Sequence, residues 1–327
     1  MIVTLKRLAK ELNLSPATIS LALRGSPGIA AKTRQLVCET AARYDYVPSN
    51  FGRALQMRRS RLIGFYMPQA TYSFFDEVLS AAGSVCLKHD YNLLLGWAYW
   101  EGKKCIVQGR QFLEKEVDAL VVSFMTQEIQ KELSRFENKK RPIIYCNCSD
   151  ENGISIRNGG SVHTDDMLGG RLAVRALCKV GHRNLLCSAT NIERLEGNRQ
   201  EASLWGASIA EYQGSIPDIC AYIRQHPEIT GIVSYCDEEA LNLYHPLQEM
   251  GLRIPQDISI IGYDGIPMGG MPQFKLSTIE QQRTMLGRRA IEIAIQMIEH
   301  PEREPVSELL EPSVLMRESI APPRSRK

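Results

Sequence analysis

The stretch VTLKRLAKELNLSPATISLALRG, residues 3–25, predicts two short helices joined by a tight turn. The first helix begins near Thr4, because the apolar residues that follow recur with the spacing of one helical face: Leu5, Leu8, Ala9 and Leu12. Asn13 tolerates the left-handed backbone conformation that such a turn requires. In the second helix, Ser15 is suited to the N-cap and Pro16 to the first helical position, where its missing N–H costs nothing.

A third helix is predicted from residue 31 to residue 44, with Leu36, Val37 and Ala41 buried. Two helices joined by so short a turn form a helix-turn-helix, whose second helix enters the major groove of DNA. Such pairs also occur as plain packing units, so the charge balance matters. Residues 1–61 contain 11 Lys and Arg but three Asp and Glu, whereas the remainder contains 28 and 34. A basic module on an acidic body indicates that the module binds a polyanion.

The head has a specific resemblance to a known family. Residues 3–25 and the segment KTRQLVCETAARYDYVPSN at residues 32–50 resemble the DNA-binding head of the lactose/galactose repressor family, without a gap. The resemblance implies a dimeric bacterial transcription regulator whose affinity for an operator is controlled by a small molecule. It divides the chain into a helix-turn-helix domain at residues 1–48, a hinge helix or linker at 49–60, and an effector-binding and dimerisation domain of two lobes at 61–327.

The predicted recognition helix has few side chains that can read bases through hydrogen bonds. Pro16, Ala17 and Leu21 stand where the family contacts base edges, and none of them can make bidentate bonds to guanine or adenine. Ala17 and Leu21 can contact a thymine methyl group, while Thr18 and Ser20 can reach phosphates. We therefore expect specificity to rely on methyl contacts and DNA deformability. The predicted contacts of the head also include Thr4, Ser15 and Arg24.

The basic segment SNFGRALQMRRSR, residues 49–61, connects the head to the body. In the family this segment forms a hinge helix in the minor groove, which by resemblance makes Leu55 the wedge at a central base step. Asn50, Arg53 and Ala54 would line the groove. An apolar wedge among basic residues can kink a duplex. A helix of about nine residues does not persist alone in water, so we expect it to fold on DNA. A plain basic linker is the alternative.

Beyond residue 61, apolar strand candidates alternate with helical stretches. The strand candidates are residues 61–67, 91–97, 118–124, 142–147, 184–189, 230–235 and 258–263. Helical stretches include residues 74–88, 167–180 and 238–250. This alternation predicts parallel α/β sheets, and its length of about 260 residues favours a division into two lobes.

Ligands of such sheets bind at the carboxyl ends of the strands. The candidate ligand contacts near those ends are Phe74, Trp100, Ser123, Arg194, Cys236, Asp237 and Asp264. Aromatic rings, an arginine and carboxylates that converge on a cleft suit a polyhydroxylated small molecule. Three of them also have a structural interpretation, with Phe74 in the core, Asp237 as a helix N-cap and Cys236 as packing.

The body resembles the same family in VHTDDMLGGRLAVRALCKVGHRN (162–184), RLEG (194–197), CDEEAL (236–241), GLRIPQDISIIGYD (251–264), LSTI (276–279) and LMRES (315–319). This implies a periplasmic-binding-protein-like fold with the effector between the lobes. By position, Arg194 and Asp264 match the principal effector contacts, and Tyr212 matches an aromatic platform of the second lobe. Ser123 matches a position that often touches ligand. Trp100 and Cys236 also match such positions, where relatives often carry polar side chains. A sugar is therefore the default effector, while nucleobases and sugar phosphates stay possible.

The sequence lacks the motifs GxGxxG, GxxxxGK[ST], HExxH and GxSxG, so we predict neither catalysis nor a cofactor. His182 is expected to be structural, and Cys146 and Cys148 are more typical of a core than of a metal site. No apolar run approaches the roughly 20 residues that span a membrane, and the first ten residues lack a signal-peptide core. Nine cysteines without a CxxC pair are typical of a reduced, cytoplasmic protein.

Two alternatives remain at this stage: an architectural DNA-binding protein whose body senses nothing, and a sugar-processing enzyme with an appended head. The charges of Arg194 and Asp264 argue against the first. We expect a homodimer that pairs through helices at residues 74–88 and 281–299 and sets its heads on the half-sites of a near-palindromic, double-stranded DNA operator. Closure of the cleft on an effector would then favour or disfavour folding of the hinge. Induction and corepression both fit this arrangement.

Overall fold

The computed structural model describes residues 4–47, 59–68, 73–101, 104–107, 110–148 and 159–324. The chain divides into two compact units, Met1–Ser60 and Arg61–Lys327. The predicted hinge contacts Asn50, Arg53, Ala54 and Leu55 lie outside the described residues, and for Trp100 the backbone alone is described. In the described part of the chain, no helix combines the length and the apolar character that a membrane span needs.

The N-terminal unit consists of three helices: α1 (Leu5–Glu11), α2 (Pro16–Leu23) and α3 (Ala31–Arg43). The side chains of Thr4 and Ser15 accept hydrogen bonds from the backbone of α1 and α2, and therefore cap both helices. Asn13 has a φ angle of 53° in the turn between them. The predicted helix starts, caps and turn are thus confirmed.

One prediction about the head core is wrong. Val37 and Ala41 are buried as expected, but Leu36 is 49% exposed. The buried face of α3 is Val37, Thr40 and Ala41, spaced i, i+3 and i+4. Leu36 precedes that series by one residue, which rotates it by about 100° away from the core.

The first lobe of the body is built on a seven-stranded sheet. Its strands are β1 (Leu62–Pro68), β2 (Asn92–Glu101), β3 (Lys104–Val107), β4 (Ala119–Val122), β5 (Ile143–Cys146), β6 (Gly159–Thr164) and β12 (Val306–Leu310). They lie in the order β12-β6-β5-β4-β1-β2-β3, and only β3 is antiparallel to its neighbour. Its helices are α4 (Phe74–Lys88), α5 (Arg110–Glu114), α6 (Gln127–Asn138) and α11 (Arg283–Glu299).

The second lobe is built on a six-stranded sheet. Its strands are β7 (Asn184–Cys187), β8 (Ser208–Glu211), β9 (Gly231–Val233), β10 (Ser259–Asp264), β11 (Ser277–Glu280) and β13 (Ser313–Leu315). They lie in the order β13-β11-β10-β9-β7-β8, with β13 antiparallel to β11. Its helices are α7 (Asp166–Lys179), α8 (Ile192–Leu204), α9 (Ile216–Gln225) and α10 (Asp237–Glu249), and a short 3₁₀ helix spans Pro267–Gly270.

The seven strand candidates all occur as strands with slightly different ends, but six further strands were not predicted: β3, β6, β8, β11, β12 and β13. The strand β6 is instructive because it lies inside the sheet and begins with two glycines. A Cβ on Gly159 would stand 1.8 Å from the carbonyl oxygen of Ile143, and one on Gly160 would stand 2.6 Å from that of Val306. The neighbouring backbone leaves no room for side chains at these two positions. The strand β6 therefore lacks the run of apolar side chains by which a strand is usually recognised.

The chain passes between the lobes three times, after β6, after β11 and after β12. The predicted fold class is confirmed, with an all-α head followed by two lobes of mostly parallel α/β structure.

Candidate functional site

The carboxyl ends of the two sheets meet at a cleft that side chains bridge. The Glu238 carboxylate, at the start of α10, accepts hydrogen bonds from the backbone N–H and the hydroxyl of Ser73 in the first lobe, at 2.9 and 3.2 Å. Arg283, at the start of α11, donates through Nη2 to Glu77 at 3.0 Å and to the carbonyl of Gly265 in the second lobe at 2.7 Å. The lobes are therefore joined by polar contacts at the mouth of the cleft.

Arg194 lies at the second-lobe side of this cleft and is 7% exposed. Its Nε and Nη2 donate to Asp166 Oδ1 at 3.1 and 2.8 Å, and its Nη1 donates to the carbonyl of Tyr235 at 2.8 Å. The guanidinium carbon lies 3.4 Å from the centroid of the Tyr263 ring, whose hydroxyl donates to the same Asp166 oxygen at 2.8 Å. Contacts within the protein thus cover one face of the Arg194 guanidinium group and use three of its N–H groups.

Asp166 was missed as a site residue by sequence reasoning. It lies in the first turn of α7, directly after the chain crosses from β6. Its carboxylate accepts hydrogen bonds from Asn191, Arg194 and Tyr263. The paired aspartates in VHTDD were the available signal. The first of them, Asp165, caps α7 through Leu168 N, which leaves the second free to face the arginine.

Asp264 ends β10 with a φ angle of 123°, a conformation that costs a non-glycine residue about 1–3 kcal/mol. One carboxylate oxygen accepts a hydrogen bond from Gln281 Nε2 at 2.7 Å. Burial raises the pKa of Asp264 well above its usual value, and the negative charge of Asp237 raises this pKa further. A half-buried acceptor held in a strained conformation is typical of a ligand-binding position.

Asp237 supports the turn that follows Asp264. Its carboxylate is fully buried and accepts from the Thr278 hydroxyl at 2.6 Å and from Ile266 N at 2.8 Å. Burial raises the pKa of Asp237 to about 6. The interpretation of Asp237 as a helix N-cap is wrong by one residue, because Cys236 caps α10 through its sulfur, which accepts from Glu239 N at 3.4 Å. Burial raises the pKa of the Cys236 thiol to about 12, so the sulfur stays protonated.

The remaining predicted contacts occupy different settings. Phe74 is 9% exposed and packs edge-on against Phe75 in the first-lobe core. Ser123 is buried and donates its hydroxyl to the carbonyl of Tyr66 at 2.9 Å. Tyr212 stacks on Tyr222 of α9 with ring centroids 4.5 Å apart. Arg194, Cys236, Asp237 and Asp264 form one electrostatically connected group, whereas the described ring contact of Tyr212 is made within the second lobe.

His182 and the paired cysteines have structural environments. The buried His182 ring contacts the Thr230 and Ser259 hydroxyls and the Ala321 carbonyl, each at 2.9 Å, and thereby ties the C-terminal segment to the second lobe. Cys146 and Cys148 are both buried, and the thiol of Cys146 points at the carbonyl of Leu286. Within the described ranges, no cluster of three or more His, Cys, Asp or Glu side chains could hold a metal ion.

The head presents one face of α2 to solvent. Ala17, Leu21 and Arg24 are exposed at spacings of four and three residues, opposite the buried Ile19 and Ala22. Pro16 is exposed at the helix start, beside the half-buried Thr18 and Ser20. The Ser15 oxygen accepts from Thr18 N at 3.0 Å and lies 2.8 Å from the Thr18 hydroxyl. The predicted contact residues of α2 thus share one accessible surface.

Curated relatives cover nearly the whole chain. The ribose operon repressor of Haemophilus influenzae is 28% identical over 97% of this chain and 98% of the relative. The HTH-type transcriptional repressor PurR of Vibrio cholerae is 27% identical over 97% of this chain and 98% of the relative. A model of the periplasmic binding protein-like domain matches residues 174–320.

Solved structures agree with the fold. The lac repressor dimer bound to operator and the anti-inducer ONPF has a TM-score of 0.83, with 21% identity over 98% of this chain and all of that chain. A LacI family transcriptional regulator from Enterococcus faecium, solved with bound ribose, has a TM-score of 0.67, with 26% identity over 80% of this chain and all of that chain.

Proposed function

We propose a mechanism of gene control on the premise that this chain belongs to the lactose/galactose repressor family of transcription regulators. The chain binds an operator as a homodimer in the cytoplasm, and a small molecule bound between the two lobes changes its affinity for that operator. The observation that carries the proposal is the pairing, in one chain, of a capped helix-turn-helix with a two-lobed body whose cleft contains a buried, charged group. Catalysis has no part in it.

The α2 face of Ala17, Leu21 and Arg24 is the DNA-reading surface. Leu21 supplies an apolar contact to a thymine methyl group, and Arg24 supplies attraction to phosphate. The hinge segment at residues 49–60 adds Leu55 as a minor-groove wedge, with Asn50, Arg53 and Ala54 along the groove.

Two exposed leucines of the head provide a matched test of this surface. Leu21 is 42% exposed on α2 and Leu36 is 49% exposed on α3, so neither leucine supports the head core. Genomic fragments that the full chain retains are sequenced, and affinity for a recovered duplex is measured by fluorescence anisotropy. Leu21→Ala should weaken binding about tenfold, whereas Leu36→Ala should leave binding unchanged. Equal loss in both variants would contradict the assignment of α2.

The effector is an uncharged, polyhydroxylated sugar. Three of the five N–H groups of Arg194 are already used within the protein, and its charge is balanced by Asp166. Asp264 interacts electrostatically with Arg194, and Glu238 with Asp264. Across the cleft the Ser123 hydroxyl donates its proton to a backbone carbonyl, so its oxygen is left as an acceptor. A cleft rich in acceptor oxygens favours a ligand that donates hydrogen bonds and disfavours a phosphate.

Ribose and ribose 5-phosphate are the first probes, because one relative is a ribose operon repressor and one similar structure holds ribose. Thermal unfolding is followed with each compound and with a panel of hexoses. A bound sugar at 100 times its dissociation constant should stabilise the chain by about 2.7 kcal/mol, and Asp264→Asn should abolish that gain. A response to the phosphorylated sugar alone would contradict the proposed effector class.

Two copies pair through α4. A groove of about 430 Å³ runs between α4 and α11. Along it, α4 presents the small residues Ser80, Ala81 and Ser84 between Glu77 at one end and Lys88 at the other. A twofold axis would set α4 antiparallel to its copy and place Glu77 opposite Lys88 of the partner. Ala81→Arg should yield monomers in sedimentation experiments, while Ser134→Arg on α6 should not.

A further inference from the structure

A directed chain of hydrogen bonds connects the first lobe to Asp264. The backbone N–H of Thr164 donates to Asn147 Oδ1 at 3.0 Å, and Asn147 Nδ2 donates to Gln281 Oε1 at 2.8 Å. Gln281 Nε2 then donates to Asp264 Oδ1 at 2.7 Å. Asn147 follows β5 in the first lobe, and Asp264 ends β10 in the second. Four groups that are distant in sequence thus form one continuous path between the lobes.

The direction of this path is fixed by its first member. A backbone N–H can only donate, so the Asn147 atom that faces Thr164 must be the oxygen, and its NH₂ group must face Gln281. The same argument turns the Gln281 oxygen towards Asn147 and its NH₂ group towards Asp264. The Thr164 hydroxyl, which can donate or accept, then donates to that same Gln281 oxygen at 2.8 Å. The path therefore requires an acceptor at its end, and the Asp264 carboxylate supplies one.

Gln281 lies where a movement of its side chain affects both lobes. Gln281 is 3% exposed and lies on the second crossing between the lobes, while Thr164 is 2% exposed and lies at the first crossing. Asn147 has a left-handed backbone, with a φ angle of 52°, that turns its side chain between them. Movement of the Gln281 side chain therefore changes the hydrogen bonding of both crossings at once.

We propose that Gln281 is a positioning residue that fixes the Asp264 carboxylate for the effector and couples the state of Asp264 to the first-lobe crossing at Thr164. The functional part rests on the proposed effector site. With Oδ1 held by Gln281, the other carboxylate oxygen is presented to the ligand. A ligand that moves the Asp264 carboxylate breaks its hydrogen bond with Gln281. The hydrogen bond from the Thr164 N–H to Asn147 in the opposite lobe then weakens.

Hydrogen exchange of the full chain tests the coupling without any effector. In Asp264→Ala and Gln281→Leu, the amide of Thr164 should exchange at least about tenfold faster, although Asp264 belongs to the other lobe. Gln282→Leu is the matched control, because Gln282 donates to the carbonyl of Glu311 and takes no part in the path. Unchanged exchange at Thr164 in both test variants would overturn the proposal.

Gln281→Glu separates this role from general destabilisation. At pH 9 the paired carboxylates of the new side chain and Asp264 have lost the proton that they share, so neither donates to the other and the protection of Thr164 should fall as it does in Gln281→Leu. At pH 5 the pair shares one proton and one carboxyl donates to the other, so protection relative to the parent chain should return. If the protection of Thr164 does not recover at pH 5, or recovers equally in Gln281→Leu, the proposed role of this hydrogen-bonded path is contradicted. If the variants change the exchange of Thr164 as expected but the chain binds no sugar, only the proposed effector class is refuted.

Discussion

The two lobes bring opposite chemistry to the cleft. Near the described strand ends of the first lobe stand the uncharged side chains of Ser123, Asn147 and Thr164. The second lobe contributes the ionisable side chains Asp166, Arg194, Asp237 and Asp264. The second lobe therefore holds a prearranged ionic platform. Apart from the Arg283–Glu77 pair, the first lobe meets this platform with neutral hydrogen-bonding groups, which cost less to desolvate than charges do.

The contrast predicts which substitutions lower the free energy of unfolding most. Within the second lobe, the buried Arg194 is paired with the half-buried Asp166, so removal of one partner leaves the other uncompensated where water is largely excluded. The uncharged groups Ser123, Asn147 and Thr164 of the first lobe lose only hydrogen bonds when they are replaced. Three stability measurements test this difference, in order of decreasing effect.

Arg194→Leu should have the largest effect. It leaves the half-buried Asp166 carboxylate without its cation, and we expect a loss of about 3 kcal/mol or more in the free energy of unfolding. Urea denaturation of the full chain measures this loss. Arg199→Leu serves as the control, because Arg199 forms its ion pair with Glu211 at the surface and should change stability little. A similar loss in both variants would remove the distinction between the platform and the surface.

Asp237→Asn should change the pH dependence of stability. The folded chain holds the Asp237 proton more tightly than the unfolded chain, since burial raises the pKa to about 6. Stability from this group is fully present below about pH 4 and is lost as the pH rises through 6, by about 3 kcal/mol in total. Asparagine does not titrate. The unfolding free energy of the parent chain relative to the variant should therefore fall by that amount between pH 4 and 7, and a constant difference would contradict the assignment.

Ser123→Ala should have the smallest effect. The substitution removes one buried hydroxyl that donates to the carbonyl of Tyr66, and we expect a loss of about 1 kcal/mol in urea denaturation. A loss as large as that of Arg194→Leu would mean that the first lobe is as strongly prearranged as the second.

The head could be predicted from sequence almost element by element, because its signals act over a few residues. Thr4 and Ser15 cap the helices that start beside them, and Asn13 makes the turn between those helices. The exception, Leu36, concerns a choice between adjacent apolar residues. That choice depends on the angle at which α3 meets the other helices, which the local sequence does not encode.

The cleft was predictable only in part. Position after a strand identified Arg194, Cys236 and Asp264, since that rule needs only the strand assignment. Their partners could not be found in this way. Asp166 reaches Arg194 across 28 residues, and Gln281 reaches Asn147 across 134. Such contacts depend on how the lobes are joined at their crossings, and two of the strands next to those crossings, β6 and β11, lack a strong apolar pattern.

The most direct test of the account is the affinity of the full chain for a recovered operator duplex, with and without the sugar that stabilises it against thermal unfolding. The account predicts that the sugar changes this affinity at least about fivefold, and that Asp264→Asn abolishes the change while operator binding is retained. An affinity that stays the same when the cleft is saturated would show that the body does not control the head.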